Sequence, residues 1–160
     1  MAYSLNDDFN RLLSHLAQTI GVGLEELDKN GENVCTIATE DLAVSLINQS
    51  GTLIMATNLG NRPSVTLDVS VKNALLRANV LYSETMGGCL GLTEDGVVSF
   101  CYHYPMENLA EEKFTAIVES FISSARFWTG RLAELARGEK RTEPASAIGQ
   151  PFTADQWVKI

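Results

Sequence analysis

Cys35, Cys89 and Cys101, together with His15 and His103, are the side chains in this sequence with the most chemistry to offer. A thiol nucleophile needs a histidine within hydrogen-bond reach and a third group that orients it. Cys101 and His103 stand two residues apart, on one face of any extended segment, but no orienting group accompanies them. The cysteines lack CxxC spacing, and two histidines do not complete a zinc set with them. Glu25-Glu26, Glu40-Asp41 and Glu111-Glu112 are adjacent acids in turns and at a helix start, where they serve as solvated ends and caps rather than an acid–base dyad. Gly87-Gly88-Cys89-Leu90-Gly91 does not follow a strand and open a helix, so it is no phosphate loop. The residues point to no catalytic site, no metal and no cofactor. An odd cysteine count in a cytoplasmic chain reads as reduced, mostly buried thiols. Cys89 and Cys101 approach each other across a predicted hairpin, as strand neighbours rather than as chemistry.

With chemistry set aside, the elements themselves carry the reading. Leu5, Phe9, Leu12, Leu13, Leu16 and Ile20 recur at three- and four-residue steps and predict a helix over 4–20. Ser4 is its candidate cap, Asp7 and Asp8 suit its positive end, and Gly21 and Gly23 end it. Three strands follow, over 34–38, 42–48 and 52–58. The turns Lys29-Asn30-Gly31, Glu40-Asp41 and Gln49-Ser50-Gly51 separate them, and such short loops imply an antiparallel meander. A loop with Gly60, Asn61 and Pro63 leads to a central helix over 68–82, capped by Asp68 or Ser70. Strands over 88–92 and 97–104 turn on Glu94-Asp95-Gly96, and Pro105 stops the second. A long helix over 109–137 carries Phe114, Ile117, Val118, Phe121, Ile122, Ala125, Trp128, Leu132 and Leu135 on its apolar side and stops at Gly138. The central helix has one apolar face, Val71, Leu75, Ala78 and Tyr82, and a second strip, Leu76 and Val80, beside it. A helix with two strips buries more than its own domain requires, so self-association is expected there.

The chain has 160 residues, 45% hydrophobic and 20% charged, which fits one globular domain over 1–138 followed by a polar tail over 139–160. No apolar run approaches the roughly 20 residues that span a bilayer. The first residues place no basic region before an apolar one, so no signal peptide is expected and cytoplasm is the default. The net charge is −8. Residues 1–60 hold eight acids against Arg11 and Lys29, which disfavours nucleic acid and favours a neutral or basic polypeptide partner.

The order helix, three strands, helix, two strands, helix resembles the class I type III secretion chaperones, the Tir-chaperone-like family. The resemblance rests on Leu12-Leu13, the strand beginning at Cys35 after Asn30-Gly31, Leu75-Leu76-Arg77-Ala78-Asn79, Gly88-Cys89-Leu90-Gly91-Leu92, and the last-helix pattern Phe114, Phe121, Ala125, Trp128 and Leu132. It covers about residues 4–136. It implies an α+β sandwich, α-β-β-β-α-β-β-α, with a mainly antiparallel twisted sheet, forming a homodimer in the bacterial cytoplasm. It also implies a non-enzymatic role in virulence: binding an extended N-terminal segment of a secreted effector and keeping it soluble for the secretion-system ATPase, a further partner. On that basis Phe9, Leu13, Ile37, Leu46 and Ile54 are the expected effector-binding residues, and Val69, Leu76, Val80 and Leu90 the expected dimer interface. A different class of function on the same fold is a regulatory or scaffold domain that binds a folded protein. The 139–160 tail is longer than the family pattern leads one to expect; it would cover an apolar patch or add a partner contact through Phe152 and Trp157.

Overall fold

In the computed structural model burial alternates strictly along residues 34–38, 43–49 and 52–58, and that alternation decides which face of the sheet is core. The structure describes residues 5–21, 28–29, 33–60, 68–82 and 84–138. Ser4, Gly23, the Asn30-Gly31 turn, Pro63 and the 139–160 tail lie outside the described residues. The elements are α1 (Leu5–Ile20), β1 (Asp28–Lys29), β2 (Val34–Ala38), β3 (Ala43–Gln49), β4 (Thr52–Asn58), α2 (Val69–Ala78), a 3-10 turn (Val80–Tyr82), β5 (Cys89–Leu92), β6 (Val98–Pro105) and α3 (Glu111–Ala136). The strands form one antiparallel sheet in the order β1-β2-β3-β4-β6-β5. This is the expected α+β architecture with one addition. The two-residue β1 pairs Asp28 with Thr36 and Lys29 with Cys35, where the sequence suggested only a turn.

The turns are locally determined. Ser50 and Gly51 both take positive φ, 52° and 85°, between the paired Gln49 and Thr52. This is the two-residue turn whose twist matches the strands it joins. At the other hairpin, Thr93 N–H donates to Val97 O and Gly96 N–H to Thr93 O, at 2.9 Å each.

On the inner face, Cys35, Ile37, Val44, Leu46, Leu53, Met55 and Phe100 are buried beneath α1 and α3. Phe9, Leu12, Leu13 and Leu16 descend from α1, and Phe114, Val118, Phe121 and Trp128 from α3. Phe100 stacks on Phe121 with ring centroids 5.1 Å apart. α1 and α3 run side by side in the same direction: Arg11 Nη1 donates to Glu111 at 2.7 Å, and His15 Nδ1 lies 3.3 Å from Thr115 Oγ1.

A second clasp ties the β2–β3 turn to the far part of α3. Arg126 donates to both carboxylate oxygens of Asp41 at 2.9–3.2 Å. The Arg126 guanidinium, and then the Thr39 hydroxyl, lower the Asp41 pKa from 3.8 to about 2. A carboxyl depressed in this way contributes stability that is complete above its ordinary pKa and is lost as pH falls through about 2. Both side chains are about half exposed, so the contribution is small. The titration is the sharper readout. The Asp41 carboxyl carbon is expected to show an NMR midpoint of about 2, moving up toward 3.8 in Arg126→Ala.

Candidate partner-binding surfaces

The structure does not gather the thiols and histidines into a catalytic group. Cys35 is in the core, His15 faces Thr115 between the two long helices, and His103 is exposed on β6. Cys101 Sγ has Ser99 Oγ at 3.7 Å. Cys89 stands directly opposite Cys101 in the β5–β6 register. Among the described residues no three His, Cys, Asp or Glu side chains come together as a metal site.

Three surfaces remain. The first is the outer face of the sheet, which no described helix covers. Its residues align in rungs across the strands. One runs Val34, Ile47, Ile54, His103, and the next runs Thr36, Ser45, Ala56, Cys101, Cys89. Val34, Ile47, Ile54 and Ala56 are only half-buried. This mix of β-branched and small polar side chains differs from the inner face, which is apolar apart from the buried Asn48 and Thr57.

The second is the outer side of α2. Val69, Leu76 and Val80 are 67%, 68% and 61% exposed, and Leu92 at the end of β5 is 48% exposed. Large apolar side chains in that state are what an unpartnered interface presents. Asn79 sets the helix in place. Its carboxamide donates to Leu90 O and accepts from Leu90 N–H, both at 2.8 Å, so it mimics a neighbouring strand at the sheet's edge. Helical geometry gives way there: α2 ends at Ala78 with Asn79 as C-cap, and a 3-10 turn replaces the last predicted turn. At the other end Asp68 is the N-cap residue, but its carboxylate accepts from Ser70 Oγ rather than from a backbone N–H. Asn79→Ala removes both bonds to Leu90 and is expected to cost about 2 kcal/mol in a thermal or urea melt.

The third is a cleft of about 130 Å³ between β6 and α3, lined by Tyr102, Tyr104, Ile117, Phe121 and Met86 with Lys113 beside them. Thr85 Oγ1, buried against it, has no hydrogen-bond partner among the described residues.

The expected site residues divide between these surfaces and the core. Ile54 lies on the outer sheet face, and Val69, Leu76 and Val80 lie on the outer side of α2. Phe9, Leu13, Ile37 and Leu46 lie in the core of the protomer. They are 1%, 1%, 8% and 0% exposed because α1 packs on the face that Ile37 and Leu46 share. Leu90, 6% exposed, is likewise core. Sequence reasoning overlooked Val34 and Ile47, whose position opposite Ile54 depends on register, and Leu92.

The model of the Tir chaperone protein (CesT) family matches residues 11–129, from the middle of α1 to the buried Trp128 region of α3. The chain belongs to the Tir chaperone protein (CesT) family. The resemblance to class I type III secretion chaperones therefore holds, and the Asn79–Leu90 clasp shows how the two motifs behind it, 75–79 and 88–92, meet in space. Solved structures agree on the fold. The chain is similar to one in the ExsC–ExsE complex, with a TM-score of 0.68 and 22% identity, covering 81% of this chain and 97% of that one. It is similar to one in the HopA1–SchA chaperone–effector complex, with a TM-score of 0.61 and 16% identity, covering 81% and 95%. A third similarity is to the heterodimeric ExoU–SpcU complex from the type III secretion system of Pseudomonas aeruginosa, with a TM-score of 0.57 and 18% identity, covering 76% and 94%. No match is found among curated protein sequences. Among the described residues no helix of this family member is long and apolar enough to cross a membrane.

Proposed function

We propose that the protein is a homodimeric, non-enzymatic chaperone in the bacterial cytoplasm. It holds an extended N-terminal segment of a type III secreted effector and presents it to the secretion-system ATPase. The observation that carries this reading, beyond the family itself, is the sheet with one face packed on helices and the other covered by none among the described residues. An extended polypeptide lies naturally on such a face, placing alternate side chains between the rungs. Ile54, Ile47 and Val34 supply apolar contact there, and the exposed strip of α2 receives the second copy. The acidic surface suits a neutral or basic segment.

The test is co-purification of the full chain with N-terminal segments of candidate effectors, read by light scattering and hydrogen exchange. The expected result is a complex built on two copies, with new protection in 34–58. Ile54→Asp is expected to weaken capture by at least about tenfold while leaving the melting profile within about 1 kcal/mol of wild type, because its side chain is only half-buried. A partner bound only when folded would favour the regulatory-domain reading instead.

A further inference from the structure

Cys89 and Cys101 end a rung of the outer sheet face, one rung from Ile54, and face each other across the β5–β6 ladder. The alternation of that ladder locates their rung. Thr93 and Val97 are hydrogen-bonded, and Leu90 turns its N–H and C=O away from β6 to Asn79. Counting back from Thr93 and Val97 makes Leu90–Phe100 a non-bonded rung and Cys89–Cys101 a bonded one, at which Cα atoms stand about 5.5 Å apart. That Cα separation lies within the range a disulfide spans, while the Cβ atoms, at the wide end of the cross-strand range at a bonded rung, must close by about 1 Å to form one. Both thiols are free, Cys89 is exposed and Cys101 half-buried. They lie on the outer sheet face beside Leu90, which Asn79 ties to the end of α2, and the Cys89 side chain is exposed in the protomer. The residue beside Cys101 on β4 is the small Ala56, and a side chain at Gly91 would meet nothing within 4 Å.

We propose that Cys89 and Cys101 form a dithiol modification site whose reagent is a small-molecule disulfide of the glutathione type. Exposed Cys89, as thiolate, attacks one sulfur of the reagent, forms a mixed disulfide and releases the first reagent thiol. The Cys101 thiolate then attacks Cys89 Sγ, breaks the mixed disulfide and expels the second reagent thiol. Two protein thiols are oxidised, one reagent disulfide is reduced to two thiols, and the protons lost by the cysteines are taken up by the departing thiolates. Cys35, wholly buried, is the internal control. The cross-link pins the edge strand at the end of the Thr36–Cys89 rung, on the same face as Ile54. The inference stands whether or not an effector binds that face.

The test treats the full-length protein with oxidised glutathione and follows thiol titration after denaturation and intact mass. Free thiols are expected to fall from three to one, the mass to fall by about 2 Da, and dithiothreitol to reverse both. Peptide mapping should place the bridge between 89 and 101. Cys101→Ser should stop at a mixed disulfide, gaining about 300 Da. Cys89→Ser should react at least about tenfold more slowly. A wild-type protein that keeps three thiols, halts at the mixed disulfide or cross-links only between chains would overturn the proposal.

Discussion

Leu76→Asp is expected to reduce the protein's mass in solution from about 35 kDa, the dimer given by twofold closure, to the 17.4 kDa of one chain. Leu76 sits midway between Val69 and Val80 on the exposed side of α2, at 68% exposure in the isolated protomer. In a twofold interface the same patch meets itself, so one substitution places two carboxylates at the centre of an apolar contact. Each is desolvated without a partner, a cost of several kcal/mol that the area of a small interface does not offset. In the monomer the same aspartate points into water and should change stability by no more than about 0.5 kcal/mol. Light scattering and a thermal melt on the same sample separate the two effects. A wild-type protein that is monomeric at tens of micromolar, or a variant that remains dimeric, would remove α2 from the interface.

Gly88→Ala is expected to destabilise the fold by about 3 kcal/mol, the upper end for forced overpacking, whereas Gly91→Ala three residues later should be nearly silent. A Cβ on Gly88 would stand 2.6 Å from Cε2 and Cζ of Phe100 and 3.0 Å from the backbone oxygen of Cys101. Phe100 has nowhere to retreat, since it stacks on Phe121 and is 1% exposed. The Cys101 oxygen belongs to the strand ladder and cannot move alone. A Cβ on Gly91 would meet nothing within 4 Å. For a chain of this length the Gly88 variant should melt roughly 6–12 °C lower. Equal melting temperatures for the two variants would contradict this account of the glycine pair.

The elements were legible because their periods are clean. Leu53 and Met55 against Ile54 and Ala56 read as a strand in either setting, as does the helical recurrence from Phe9 to Ile20. What periodicity does not report is which side of a strand a helix will cover when both sides are apolar. Leu46 and Ile54 look alike in sequence, but α1 and α3 seal the first and leave the second half open. For that reason four of the five residues expected to meet an effector proved to be core, as did Leu90 at the expected dimer interface. The strand β1 was invisible because two residues have no period. The early end of α2 was hidden for a different reason. Asn79 continues a helical pattern, and only the nearby edge of β5 reveals that its carboxamide serves as a surrogate strand.

The pairing of α1 with α3 also constrains when this molecule can come into being. Arg11 reaches Glu111 and His15 reaches Thr115, each across 100 residues of chain. The face of α1 bearing Phe9 and Leu13 therefore emerges from the ribosome well before the helix that lies beside it. At bacterial-type elongation of about 5–20 residues per second, that interval is roughly 5–20 s. Through it the apolar face of the first helix and half of the sheet lack their cover. A member of a chaperone family is itself, during synthesis, a nascent chain waiting for its last helix.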